Sequence, residues 1–335
     1  MIIETNSYPR AAVIGNPSDG YFGKTIAFVF SNFIANVQLY QTPELEIKPQ
    51  RLDGTTFKNM QDLVEDINFA GYYGGVRLIK GMIKVFYEYC ESNNIQLASK
   101  NFTIRYKSNI PLRLGLAGSS AIISACLKAL CLFYEVYISP ATSANLVLSV
   151  ETKELGISAG LQDRVAQAFE TPVFMDFNKK IMDKQGYGNY EKLNTQKLPS
   201  FYIAFRKNLS EGTEIVHNNL KARFTIGEPK VLQAMNRWAQ ITEEFKTALE
   251  DGDDETMHNL INENFDLRNN LVQISKGNIE MVELARSVGA SAKFTGSGGA
   301  IIGTYKNELM YSKLNDLMSS HKIDVIKPNI VQAST

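Results

Sequence analysis

Short apolar runs alternate along the chain with longer stretches in which apolar residues recur at helical spacing. The run at 11–15, AAVIG, and the stretch at 26–40, IAFVFSNFIANVQLY, read as strands joined by the turn-rich segment NPSDGYFGKT. Residues 45–49 and 102–107 are further strand candidates. Between them, 58–93 carries a helical pattern interrupted by GYYGG at 71–75. A helix is predicted over 119–135, opened by two serines after a glycine-rich loop, then a second helix over 141–155 and a strand over 172–178. The polar, Tyr- and Gly-rich stretch 179–197 reads as a flexible connection. Beyond it the pattern predicts a strand at 200–206 and helices at 228–250, 254–271 and 277–288. A strand–glycine loop–strand follows at 291–304, then a helix at 306–319 and a strand at 322–327. Strands and helices are mixed in an α+β manner, and the connection divides the chain into parts 1–185 and 190–335.

Composition narrows the classes. The 335 residues are 44% hydrophobic and 21% charged, enough for a substantial core. Thirty-five Lys plus Arg balance 35 Asp plus Glu, which argues against a general nucleic-acid or acidic-membrane binder. Cys90, Cys126 and Cys131 show no paired spacing; Cys126 and Cys131, inside an apolar stretch, read as small core residues, and a reducing compartment is expected. The three histidines, at 217, 258 and 321, are too scattered for a zinc site or a Ser-His-Asp triad. The opening IIETNSYPR has neither the basic nor the apolar region of a leader, and the longest apolar run, near 121–133, is broken by Lys128 and too short to span a bilayer. The expectation is a cytoplasmic protein with no nucleic-acid or membrane partner and an open oligomeric state.

Three glycine-rich spots are the candidates for chemistry. GYFGKT at 20–25 looks like the end of a P-loop but has Ser18 where that pattern needs Gly. PLRLGLAGSSA at 111–121 follows a strand and opens an apolar helix. Gly115 and Gly118 let backbone approach an anion, the first-turn N–H groups point into the loop, and Ser119 and Ser120 supply hydroxyls. Local chemistry leaves phosphate binding and a plain serine-capped loop equally open. KFTGSGGA at 293–300, between two strands, is too late in the chain for a dinucleotide fingerprint and reads equally as a glycine hairpin.

Taken together, PRAAVIGNPSDGYFG, PLRLGLAGSSA and KFTGSGGA resemble, in order and spacing over nearly the whole chain, the three motifs of the GHMP small-molecule kinases. GYYGGVR at 71–77, ELGISAGLQDRVAQ at 154–167 and ENFDLR at 263–268 resemble the glucuronokinase branch most. Two features depart from the usual pattern. Ala117 lengthens the second motif by one residue, and the first motif has Pro9-Arg10 in place of Pro-Gly-Arg/Lys and Gly15-Asn16 where galactokinases have Gly-Glu-His.

The resemblance implies a two-lobed fold, with a ribosomal S5 domain 2-like N-terminal lobe and a ferredoxin-like C-terminal lobe. It implies ATP as phosphoryl donor, with Mg²⁺, and a sugar or uronate acceptor, D-glucuronate first. The alternatives are a heptose, galacturonate or fucose kinase, or a non-catalytic nucleotide- or metabolite-binding protein. Pro111, Gly115, Leu116, Ala117, Gly118, Ser119, Ser120 and Ala121 would contact the nucleotide, as would Gly296, Ser297 and Gly298. Ser120 and Glu151 would hold the metal, with Glu154 as competitor. Asp163 would serve as base or acceptor-positioner, Arg10 would stabilise charge beside it, and Asp19 would bind a sugar hydroxyl. A uronate carboxylate suits an arginine fork, and Arg113, Arg164 and Arg268 are the candidates. Trp238 and the Tyr72/Tyr73 pair read as core.

Overall fold

The computed structural model describes residues 2–50, 53–54, 56–70, 74–206 and 220–332. Gly71, Tyr72, Tyr73 and His217 lie outside the described residues. The chain forms two compact units whose segments interleave in sequence. One comprises Met1–Pro9, Phe33–Leu112 and Gly118–Ala159, the other Arg10–Asn32, Arg113–Ala117 and Gly160–Thr335.

The first unit contains β1 (Ile2–Ser7), β4 (Ala35–Thr42), β5 (Glu46–Lys48) and β6 (Asn101–Ser108) in the order β1-β4-β6-β5. All pairings are antiparallel except β5 with β6. Ile3, Thr5 and Ser7 lie opposite Leu39, Val37 and Ala35, and all six are buried. This face packs on α3 (Gly118–Tyr134), whose Ala125 carbonyl accepts from Thr5 Oγ1 at 2.7 Å. α1 (Met60–Ala70), α2 (Val76–Ser92) and α4 (Pro140–Ser149) complete the unit. The pattern over 1–7 does not predict β1, because two of its three inward residues are small and polar.

The second unit holds two antiparallel sheets. β2 (Arg10–Ile14), β3 (Lys24–Val29), β7 (Val173–Asp176) and β8 (Asn189–Lys192) run in that order. β9 (Phe201–Phe205), β10 (Lys293–Phe294), β11 (Ala300–Thr304) and β12 (Asp324–Ile326) form the order β10-β11-β9-β12. The helices are α5 (Gln162–Phe169), α6 (Lys179–Gln185), α7 (Pro229–Asp251), α8 (Asp254–Asn269), α9 (Lys276–Ser287) and α10 (Glu308–Ser320). β2, β9 and β11 are buried along their whole length, which explains their continuous apolar runs.

The α+β reading is borne out, with local corrections. The predicted strand 26–40 is two strands, β3 and β4, which enter different sheets. The stretch 179–197 is not an unstructured connection: it forms α6 and the edge strand β8. Edge position lets β8 be polar; Tyr190 packs against Phe169 and Phe177, and Glu191 pairs with Lys246 at 2.6 Å. The predicted helix 141–155 is regular only to Ser149 and ends in a π turn over Val150–Glu154. GYFGKT is a short 3-10 turn at Ser18–Tyr21 leading into β3, and Lys24 pairs with Asp176 and Glu243. Trp238 is fully buried, its indole donating to Asn264 O.

Candidate active site

β2 places Arg10 inside the second unit, where the side chain is 4% exposed. Its Nε and Nη2 lie 2.7 and 2.6 Å from Asp163 Oδ1, a two-pronged contact to one carboxylate oxygen. Nη1 donates to Gly115 O at 3.2 Å and also to Thr295 O. The Arg10 backbone N–H donates to Leu116 O at 3.0 Å. One buried guanidinium thus connects Asp163 to the loop at 113–117 and to the loop after β10. Loose charged chains cannot hold such a geometry; a buried planar fork can.

The two glycine loops touch directly. Gly115 has φ 64°, and a Cβ there would lie 3.0 Å from Ser297 N. A Cβ on Gly296 would lie 2.4 Å from Gly115 O. Both positions require glycine for close backbone approach. Arg268, on α8, donates to Gly296 O and Ser297 O at 2.8 Å each and stacks over the Phe294 ring. Lys293, 1% exposed, donates to Ala12 O at 2.6 Å and Phe294 O at 2.8 Å. Burial, reinforced by Arg10 and Arg268, pushes its ammonium well below its ordinary pKa.

Asp163 opens α5, next to Arg164, whose Nη1 lies 3.1 Å from Asp163 Oδ2 and donates to Gly160 O at 2.7 Å. Gln162, the residue before, donates through Nε2 to Asp19 Oδ1 at 3.1 Å. Asp163, Arg10, Asp19 and Arg164 are therefore brought together. Asp19 keeps part of its side chain exposed, but its carboxyl is crowded by protein. Burial first, and the nearby Asp163 second, push it up to about 7 against the lowering pull of Arg10. Such a group can accept from or donate to a hydroxyl near neutrality. Two buried amide oxygens beside it, Asn16 Oδ1 and Gln162 Oε1, have no hydrogen-bond partner among the described residues.

The Asp19 shift has a testable sign. A carboxyl raised from 3.8 to about 7 retains its proton in the fold where the unfolded chain has lost it. Its contribution to stability therefore declines as pH rises from about 4 through 7. Asp19→Asn is expected to raise Tm by a few degrees at pH 8, with the gain shrinking toward pH 5, while activity falls. Melting curves across that range check it; a Tm gain independent of pH would contradict the assignment.

In the first unit, α3 begins at Gly118; Ser119 in its first turn is exposed, and Ser120 beside it is buried. Glu151 is buried in the π turn. Glu154 reaches Lys84 Nζ at 2.6 Å in a surface ion pair. A hydroxyl and a buried carboxylate are the hard oxygen donors that Mg²⁺ takes when phosphates supply the rest. No cluster of three His, Cys, Asp or Glu suited to a metal occurs among the described residues. The same unit has an open cavity of about 650 Å³ lined by Leu45, Ile47, Pro49, Asp53, Gly74, Val76, Arg77 and Lys80. Arg113, at φ 58°, is exposed in the loop, and Pro111 and Ala121 flank that loop at its two ends.

Sequence reasoning missed Gln162, Gln167, Lys293 and the 650 Å³ cavity. The two glutamines stand inside the LQDRVAQ run that drew attention for Asp163 and Arg164. A helical wheel would have put Asp163 and Gln167, four residues apart, on one face.

Comparison with known proteins identifies the family. The family "GHMP kinases N terminal domain" matches residues 77–171. The chain is 45% identical to Probable glucuronokinase 2 of Arabidopsis thaliana over 308 residues, covering 90% of this chain and 84% of that protein. It is 44% identical to Glucuronokinase 1 of the same plant over 306 residues, with the same coverage. Among solved structures, a D-glycero-D-manno-heptose 1-phosphate kinase from Bacteriodes thetaiotaomicron superposes with TM-score 0.71 at 18% identity, covering 99% of this chain and 97% of that one. With its glycine loops, its Arg10–Asp163 pair and this degree of identity to plant relatives, the chain belongs to the glucuronokinase family of GHMP kinases, phosphotransferases with an alcohol group as acceptor.

Proposed function

We propose that the chain transfers the terminal phosphoryl group of ATP to the anomeric hydroxyl of D-glucuronate, giving the 1-phosphate, with Mg²⁺. The observation that carries this reading is the Arg10 contact set, which joins the carboxylate of Asp163 to both glycine loops. Phosphoryl transfer needs a phosphate cradle and a group that orients the acceptor, fixed relative to one another. Asp163 accepts the proton of the attacking hydroxyl. Arg10 and Arg164 hold its carboxylate in one orientation. Asp19, with the Asn16 and Gln162 amides, offers hydrogen bonds to the remaining hydroxyls. The ATP phosphates would lie along 111–121 and 296–298. Ser120 and Glu151 would hold Mg²⁺, which neutralises charge on the phosphates. In this reading 1–185 is the ATP-binding domain and 190–335 the C-terminal domain.

The uronate carboxylate needs a cationic partner, and an unpaired Arg in the glucose complex would cost more than the lost contact. Glucuronate is expected to exceed glucose by at least about 10²-fold in kcat/KM. Arg164 donates to Gly160 O and Arg268 to Gly296 O and Ser297 O, and Arg113 is exposed in the loop. Met variants of all three are tested beside wild type on glucuronate, galacturonate, glucose, galactose and a heptose phosphate. The responsible variant should collapse the preference and keep ATP hydrolysis. Faster turnover of a neutral sugar or a heptose phosphate would overturn the substrate assignment and leave the kinase chemistry in place.

A further inference from the structure

Three consecutive carbonyls of the loop at 115–117 are each held. Gly115 O accepts from Arg10 Nη1 at 3.2 Å and Leu116 O from the Arg10 backbone N–H at 3.0 Å. Ala117 O accepts from Gln167 Nε2 at 3.0 Å. In a trans peptide, the C=O of one residue and the N–H of the next point in opposite directions. Anchoring these carbonyls therefore turns the N–H groups of Leu116, Ala117 and Gly118 away from Arg10 and Gln167. Successive amides presented this way form an anion-binding concavity.

Two of the three anchors come from Arg10. The third is Gln167, on the last turns of α5 and 1% exposed. Its partner is the conformationally demanding one. Ala117, the extra residue of the loop, sits at φ 62°, a left-handed conformation that an alanine leaves unless the surroundings hold it. The bond spans 50 residues of sequence, so it is a tertiary device and not a local cap.

We propose that Gln167 is a positioning residue for the nucleotide phosphates: by holding the Ala117 carbonyl it fixes the left-handed turn and aims the Gly118 amide at the anion. Gln167 does not touch the nucleotide in this account; it acts through the 117–118 peptide. The inference rests on the reading of 111–121 as the ATP phosphate loop.

The test measures the affinity of ATP and of adenosine, by calorimetry on the full chain, for wild type, Gln167→Met and Gln167→Glu. Methionine keeps the length and removes the donor; glutamate sets an acceptor against the carbonyl. The Met variant is expected to bind ATP about tenfold more weakly, the loss typical of one hydrogen bond that supports a charged ligand, and the Glu variant more weakly still. Adenosine, which lacks phosphates, should bind both variants within about twofold of wild type, so it reports on the integrity of the fold. The KM for ATP should rise while the KM for the sugar stays constant. Unchanged ATP affinity in the Met variant overturns the inference. Parallel loss of ATP and adenosine binding with a falling Tm, or failure of both variants to fold, shows a merely structural glutamine and also overturns it. Wild-type protein binding adenosine as tightly as ATP would instead defeat the phosphate-loop reading itself.

Discussion

Asp163→Asn is expected to lower kcat by about 10²–10⁴-fold, the range of a lost general base, with ATP affinity close to wild type. The size of the effect follows from how the carboxylate is held. Oδ1 faces the Nε and Nη2 groups of Arg10, and Oδ2 faces Arg164 Nη1. An asparagine with its oxygen toward Arg10 keeps that contact but sets its NH₂ against the Arg164 donor, so the variant loses both the proton acceptor and the Arg164 contact. Steady-state kinetics with glucuronate and calorimetry with ATP give the two readings. A variant within a few-fold of wild type would show that Asp163 only positions the acceptor and that the loops carry the rate.

Arg10→Met should damage both stability and rate. Removing one partner of a buried ion pair costs roughly 3–5 kcal/mol; Asp163 keeps 15% of its side chain exposed, so the lower end applies. A loss of about 3 kcal/mol lowers Tm by roughly 6–12 °C for a folding unit of about 200 residues, the size of the one that holds this pair. The carbonyls of Gly115 and Thr295 also lose their side-chain donor, and the loops are then free to shift relative to Asp163. Misplacement by about 1 Å is enough to reduce turnover on the order of 10²-fold. Arg10→Lys should rescue little of this, because a point charge cannot serve a carboxylate and two carbonyls at once. Combining Arg10→Met with Asp163→Asn should cost far less in kcat than the two losses summed, since they act as one unit. Additive losses, or full rescue by Lys, would refute a shared role.

How much of this was legible beforehand depends on the range of the forces involved. The loops at 111–121 and 293–300 stand out because a tight turn, a close backbone approach and a helix start impose residue types on neighbouring positions. The helices 229–251, 254–269 and 276–287 emerge from apolar spacing alone, within a few residues of their observed ends. Elements whose burial does not alternate with hydrophobicity escaped: β1, which buries Thr5 and Ser7, and β8, which sits at an edge. α5, eight residues long, is too short for its period to register.

At the candidate site the sequence supplied the residue types, and the fold assigned their partners. Arg10, Asp19 and Asp163 stand in local motifs and could be picked out by resemblance. That Arg10 grips Asp163 across 153 residues and Thr295 across 285 could not. Nor could the use of Arg268 to tie down the third glycine loop, the burial of Lys293 beneath β2, or the grip of Gln167 on Ala117. Turn chemistry, helix starts and apolar periods act over a few bonds, so they leave their mark in adjacent letters. A hydrogen bond between distant segments constrains only two residues, and glutamine, lysine and arginine satisfy so many such roles that their identity does not reveal the partner. Which carbonyl each donor reaches, and the titration of Asp19 near neutrality, is decided when strands β2 and β10, helices α5 and α8 and the two glycine loops come together in one unit.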